Sequence, residues 1–325
     1  MRFATPVLER IAPARVTRGV KHRVAAVAYP KVYSVRARIP RYSLSEQAKV
    51  FNRLAEERGL GDLRLLYWYH TVDLGGGLIT PGTLDYRASF DEFHFPDDMS
   101  GMTVLDVGSA TGFFAFEFEK RGAEVVSVEV PSLDEVDRLP GEDVMQTVKK
   151  IAVMTAGQSA YTNDEFDAVF RRASAADFYH YYLDGPFKLC HQVLGSGVER
   201  RYSSIYDIPE TDLGSRSFDL VFLGDLLLHL MHPFKALTAV APLCRGKLVL
   251  SQYLPAGFGS RPAALYVGGD TLGDDHATWW FPNQACFEQI LRKLGFRDVE
   301  IVGRNAGVAR PGGSYYDRPI LHAVR

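Results

Sequence analysis

The sequence predicts an α/β fold built on a doubly wound, mostly parallel sheet with an antiparallel edge strand. Three observations carry this. Residues 104–130, VLDVGSATGFFAFEFEKRGAEVVSVEV, read as strand, small-residue bend, helix and strand within 27 residues. Further apolar strands alternate with helical patterns downstream. The last two strand patterns, FRDVEIVG and PILHAVR, have no helix between them, which makes them an antiparallel pair.

The chain has 325 residues, 46% hydrophobic and 23% charged. That suits one large domain with additions, and a core needing neither disulfide nor metal. Residues 1–42 form a basic arm. Ten Lys/Arg against Glu9 between Met1 and Arg41 make +9; the whole chain carries −2, so the rest carries −11. Two readings stand: a solvated tail or organelle leader, or a strip that meets an anionic partner such as RNA. No apolar run approaches the roughly 20 residues of a membrane span, and no secretory block opens the chain. Cys190, Cys244 and Cys286 are isolated in sequence, without zinc or redox spacing, and read as small core residues. A reducing cytoplasm is the simplest compartment.

Residues 43–100 form a helical and aromatic lead-in. SLSEQAKVFNRLAEERGLG is a helix opened by the Ser43/Glu46 capping pattern and stopped by Gly59. Gly75 to Gly77 and Pro81-Gly82 mark a loop. Aromatic residues from Tyr67 to Phe95 crowd both sides of it, as expected of a segment that packs on the main domain and covers a ligand. Residues 101–325 are the main domain. Its elements are a strand at 104–108, a helix at 112–121, a strand in EVVSVEV, a long insertion over 131–197, and a third strand in VERRYSSIYD. A fourth strand then enters the turn FLGDLLLHLMHP. A helix, a fifth strand GKLVLSQYL, a helix capped by Asn283 and stopped by Gly295, and the closing pair complete the chain.

A small-residue bend between strand and helix brings a ligand to backbone N–H groups. A P-loop needs a lysine after Gly112, and none follows. A dinucleotide fingerprint needs three glycines where Gly108, Ala110 and Phe113 stand. D-V-G-S-A-T-G instead resembles the first motif of class I S-adenosylmethionine-dependent methyltransferases, with Asp106, Gly108, Ala110 and Gly112 in the four pattern positions. That resemblance implies the Rossmann-like methyltransferase sheet and S-adenosyl-L-methionine as cofactor. It further implies that Asp106 faces the cationic methionine part and that Glu129, 17 residues past Gly112, takes both ribose hydroxyls. Asp207 matches the place that holds the adenine amino group, although it also suits an Asx turn before Pro209. Gly224, ending the fourth strand, joins the cofactor set.

FPDDMSGMTVLDVG, FLGDLLLHLMHPFKAL and WWFPN before LRKLGFRDVEIV together resemble the tRNA wobble-uridine methyltransferase/carboxymethyltransferase family over about residues 70–325, outside the insertion. Carboxymethylating members grip the extra carboxylate of their cofactor with a lysine, a tyrosine and an arginine. Here the lead-in lacks the lysine, Leu228 stands where the tyrosine belongs, and Arg318 matches the arginine. A carboxylate there would be poorly compensated, so the plain cofactor and simple methyl transfer are expected.

Methyl transfer needs alignment above all, and positioning alone can lower a barrier by about 7–11 kcal/mol. A general base helps where the acceptor is an ordinary hydroxyl. Asp225, His229 and His232 follow the fourth strand, at the edge where ligands bind. His229 is the first candidate base, with a structural histidine as the other reading. Tyr181 and His180, in DFYHYYLDG, stack on a planar acceptor or belong to the insertion's core. No metal set is evident. The acceptor is a tRNA uridine or a small molecule; a non-catalytic cofactor-binding module is the third reading.

Overall fold

The computed structural model describes residues 44–61, 63, 66–148, 173–269, 278–310 and 314–325. The basic arm, Ser43 of the expected cap and the middle of the insertion lie outside the described residues.

The first helix, α1 (Leu44–Glu57), buries Ala48, Phe51 and Ala55, three and four residues apart and so on one face. Its outer face carries the exposed pairs Glu46–Lys49 and Arg53–Glu57. The lead-in then makes a ladder of irregular backbone. Thr71 donates to Leu84 O and Thr80 to Val72 O, and Gly75 to Gly77 all turn at positive φ. A short 3-10 turn at Phe90–Phe93 places its rings, with Phe95, against the main sheet.

The sheet follows from strand β1 (Thr103–Val107), helix α2 (Phe113–Lys120) and strand β2 (Glu124–Glu129). The insertion ends in α3 (Ala175–Tyr179), closed at its start by a Ser174/Asp177 capping box. A π-helical turn at His180–Asp184 leads into α4 (Gly185–Leu194). Then come β3 (Glu199–Tyr202), β4 (Phe218–Gly224), α5 (Pro233–Val240) and β5 (Cys244–Ser251). A small hairpin pairs β6 (Ala264–Tyr266) with β7 (Trp280–Pro282). Helix α6 (Gln284–Lys293), with Asn283 Oδ1 accepting the Cys286 N–H at 2.9 Å, precedes β8 (Asp298–Ala309) and β9 (Ser314–Val324).

The seven-stranded sheet has the order β3-β2-β1-β4-β5-β9-β8. Strands β1 to β5 run parallel, and β9 is antiparallel to both β5 and β8. The expected architecture holds, with the antiparallel strand lying one place inside the edge. The order reverses between β1 and β4, and the crevice at such a reversal is where open α/β sheets bind ligands.

Side-chain alternation along the strands assigns the two faces. Val104, Leu220 and Phe222 join the lead-in aromatics and α2 in one core. Leu105, Val107, Val221 and Leu223 join α5 and α6 in the other. The first core is a stack of rings: Phe114 lies 4.4 Å from Phe222, and Phe95 meets Phe118 edge-on at 4.8 Å. Such pairs add about 0.5–1.5 kcal/mol each beyond the area they bury. The lead-in is therefore part of the domain's core.

One expectation is corrected. β3 stops at Tyr202, because its partner β2 ends at Glu129 and the chain turns through Ser203 and Ser204 toward a 3-10 turn at Ile208–Glu210. The helix starts after Asn283 as expected, and β7 ends at Pro282 just before it. Cys190 and Cys244 are buried and Cys286 is partly buried.

Gly82 lies so close to the opposing strand of the lead-in that a Cβ would sit 2.1 Å from the carbonyl carbon of His70. Gly82→Ala should therefore destabilise the protein by about 1–3 kcal/mol, read as a lower urea midpoint at unchanged m-value.

Candidate functional site

The site lies at the carboxyl edge of the sheet, over the reversal between β1 and β4. The bend after β1 is held in a conformation ordinary residues avoid: Gly108, Ala110 and Gly112 have φ of 73°, 47° and 87°. For alanine this left-handed backbone costs energy. Specific bonds offset the cost. The Gly108 N–H donates to Val128 O at 2.8 Å, and the Gly112 N–H to Ser109 O at 2.8 Å. Glu129, at the end of β2 and only 8% exposed, accepts the Ala110 N–H at 3.0 Å through Oε2 and the Val130 N–H at 3.0 Å through Oε1. A carboxylate has about four acceptor positions, so lone pairs remain on both oxygens.

Asp106 is 2% exposed, and its Oδ2 has no hydrogen-bond partner. Burial pushes its pKa up to about 7; Arg200 opposes the rise, Glu129 adds to it, and the Ala115 N–H opposes it. A buried carboxylate oxygen without a donor is costly.

A cavity opens from Asp106 and Gly108 toward Gly224 and Asp225. The lead-in supplies its other wall with Tyr69, His70 and Tyr86. Their placement follows from the lead-in ladder: the His70 N–H donates to Thr111 Oγ1 at 3.1 Å, and Thr80 Oγ1 donates to His70 O at 3.0 Å. Burial lowers the His70 pKa to about 3 and leaves its Nδ1 without a partner. Burial, with Asp225 adding to it, raises Tyr69 above the ordinary phenol range. Burial also raises Tyr86, with Tyr69 and Asp225 adding to the effect. At neutral pH this wall is thus a neutral imidazole and two neutral phenols. Asn305 of β8 completes it, accepting Ser89 Oγ through Oδ1 at 2.8 Å.

Asp225 stands at φ 48°, strained for a non-glycine residue. Its N–H donates to Ser251 O at 2.6 Å, and its Oδ2 accepts Arg318 Nε at 2.6 Å. Burial works against the charged form of Arg318, but Asp225 outweighs it and the pKa is raised. Asp225 Oδ1 is buried and unpartnered.

The structure thus brings Asp106, Gly108, Gly224 and Asp225 into one cavity, with Ala110, Gly112 and Glu129 in the adjoining bend and Arg318 behind Asp225. It does not bring in every candidate. His229 ends a 3-10 turn with an exposed side chain and does not line the cavity. His232 is exposed, its N–H donating to Tyr206 Oη at 3.2 Å. Tyr181 is 3% exposed and packs on Phe178, its carbonyl accepting the Tyr67 N–H. His180 faces solvent beside Asp184, with Nδ1 3.8 Å from Oδ2. Asp207 is exposed at the start of the 3-10 turn Ile208–Glu210, and its side chain makes no cap. No group of three metal-ligating side chains occurs among the described residues.

Sequence reasoning passed over Tyr69, His70, Tyr86, Asn305 and Arg200. The aromatic density of the lead-in marked a cover, but only the ladder shows which rings face the cavity. Nothing in VERRY distinguishes Arg200 from Arg201.

A methyltransferase domain family model matches residues 85–301. A tRNA U34 carboxymethyltransferase of Idiomarina loihiensis is 24% identical over 211 residues, 64% of this chain and 50% of that one. A magnesium-protoporphyrin O-methyltransferase of Rhodobacter capsulatus is 46% identical over 50 residues, 14% of this chain and 22% of that one. The matched region thus spans half the length of the first relative and less of the second. Among solved structures, the N-terminal domain of EvdMO1, crystallised in the presence of SAH and D-fucose, aligns at TM-score 0.44 and 14% identity, covering 85% of this chain and 97% of that one.

In the folded state the Asp106 pKa lies above that of an unfolded carboxyl, so the native protein holds the proton more tightly. Its penalty is absent below about pH 4 and grows as the pH rises toward about 7. Asp106→Asn should therefore raise stability at pH 8 by roughly 2–4 kcal/mol while changing it little at pH 4. Urea unfolding at the two pH values measures the difference.

Proposed function

This chain belongs to the methyltransferase domain family, and we propose that it moves a methyl group from S-adenosylmethionine to a hydroxyl oxygen of its acceptor. The observation that carries the reading is the placement of two buried carboxylates by the bend, Asp106 on β1 and Glu129 at the end of the neighbouring β2. Asp106 Oδ2, buried without a donor, fits the methionine ammonium. The free lone pairs of Glu129 fit the two ribose hydroxyls, at about 1.5–3 kcal/mol for each bond to a charged acceptor.

S-adenosylmethionine supplies a methyl group already activated on a sulfonium. What remains for the chain is to bind, align and exclude water. Tyr69, His70 and Tyr86 form the wall of the cavity that the lead-in supplies. Asp225, fixed by Arg318, offers Oδ1 to an acceptor hydroxyl and is the better-placed proton acceptor; His229, exposed and away from the lining, is withdrawn as first choice. Arg318 is occupied by Asp225 within the chain, which supports the plain cofactor over a carboxylated one.

Two acceptor classes are favoured by different observations. Residues 42–325 carry the −11 left after the arm's +9 is set aside, and an acidic body disfavours a polyanion, so a small hydroxyl-bearing molecule is the first reading. The basic arm and the tRNA-modifying relative favour a tRNA uridine as the second. Removing residues 1–41 separates them. Turnover of a small acceptor should be unchanged, whereas tRNA binding should weaken and lose most of its salt dependence.

The cofactor reading is tested by calorimetric titration of the full chain with S-adenosylmethionine. Asp106→Ala and Glu129→Ala should each weaken binding tenfold or more, about 1.4 kcal/mol. Unchanged affinity in both variants would sink the assignment.

A further inference from the structure

Arg200, on β3, reaches under the bend from the sheet's outer side. Its Nη1 donates to Ser109 Oγ and, at 2.8 Å, to Ser127 Oγ; its Nη2 lies 3.5 Å from Ala110 O. Ser109 and Ser127 also bond each other at 2.6 Å. One guanidinium thus ties Ser109, inside the strained Gly108–Ala110 turn, to Ser127 of β2. Its carbon lies 4.0 Å from the centre of the Phe187 ring, on α4. Phe187 packs in turn against the bend: a Cβ at Gly112 would sit 2.7 Å from its Cδ2. A stacked, forked cation can hold three elements at once; a lysine supplies the charge without the fork.

We propose that Arg200 is a positioning residue for the cofactor: its forked, partly buried guanidinium fixes the bend's backbone and sets a positive charge beneath it. The proposal rests on the reading of the bend as the S-adenosylmethionine site. Its electrostatic half follows from what surrounds Asp106. Arg200 from β3 and Glu129 from β2 act on it by charge, in opposite directions. Tyr69, His70 and Tyr86 from the lead-in and Asp225 after β4 line the same cavity; the first three are neutral at pH 7, and Asp225 is paired with Arg318. Arg200 is therefore the cation that opposes the burial of Asp106 without cancelling it, the pKa still lying at about 7. An ammonium ligand needs the ionised carboxylate, so cofactor affinity should fall as the pH drops through about 7.

The test is calorimetric titration of the full-length chain with S-adenosylmethionine from pH 6 to 9, and in parallel with 5′-methylthioadenosine, which lacks the ammonium group. Arg200→Met should weaken S-adenosylmethionine about tenfold at pH 7 and move the midpoint of its pH dependence up by about one unit. The methylthioadenosine affinity should show little of that pH dependence in either protein. Arg200→Lys, which keeps the charge and the fold's demand for a long side chain, should hold the midpoint near the wild-type value while still weakening binding severalfold. An Arg200→Met protein that keeps both affinity and midpoint overturns the proposal, as does an Arg200→Lys protein whose midpoint moves upward. If the wild-type chain fails to bind S-adenosylmethionine at all, the cofactor reading falls and this proposal falls with it. If Arg200→Met does not fold, the Arg200→Lys midpoint decides alone.

Discussion

The Glu129 carboxylate accepts the N–H of Ala110 and that of Val130, and the carboxyl edge of the sheet is organised around those two bonds. Ala110 is held at φ 47° between two glycines that also turn left-handed. Without an acceptor fixed at the end of β2, an alanine there would relax toward ordinary backbone. The β1–β2 register makes the acceptor available, pairing Asp106 with Ser127 and Val107 with Val128. The last residue of β2 therefore arrives beside the bend. Arg200 ties the same elements from below through Ser109 and Ser127. The bend is shaped before any ligand arrives, which lowers the ordering cost of binding.

The second constraint is the ring stack under the lead-in. Phe93 and Phe95 pack on Phe114 and Phe222, so the lead-in cannot lift away without exposing a large apolar area at roughly 25 cal/mol per Å². The cavity's lead-in wall thus belongs to the core. Its three cavity-facing rings inherit that rigidity through the bonds from His70 to Thr111 and from Thr80 to His70. The loop after β4 is held from the other side: the Met231 N–H donates to Asp137, and Trp280 Nε1 donates to Met231 O.

Much of this was legible beforehand because it is encoded locally. Strand alternation, the small-residue bend, the Asn283 cap and the closing strand pair each depend on neighbours within a few residues. Asp106, Gly108 and Glu129 were singled out through the bend's resemblance to a methyltransferase motif, and the register of β1 and β2 places them together at the bend. What could not be read depends on contacts between distant segments. His229 looked like a base from its place after β4, but the 3-10 turn at Leu227–His229 points the side chain outward. Of the two readings of Tyr181, platform or insertion core, only the contacts with Phe178 and Tyr67 decide for the core. The Asp225–Arg318 pair joins residues 93 apart, and no local pattern announces it.

The charges gathered here also bear on how the site treats ligand before and after reaction. With Asp106 ionised, three carboxylates (Asp106, Glu129 and Asp225) face two guanidiniums (Arg200 and Arg318) across the bend and cavity. The balance is one negative charge in partly buried surroundings, where Coulomb terms exceed their aqueous size. S-adenosylmethionine carries a net positive charge at neutral pH, and the product left after methyl loss carries none. On the proposed cofactor assignment, a site of this polarity would hold the charged donor more tightly than the spent one, and electrostatics would favour exchange after each turnover. The preference depends on the protonation of Asp106: with the proton on, the balance is neutral and the discrimination weakens. Burial alone would drive Asp106 toward that protonated state. If the bend is the cofactor's cradle, the counter-charge beneath it bears on the selection of the loaded cofactor as well as on the cradle's shape.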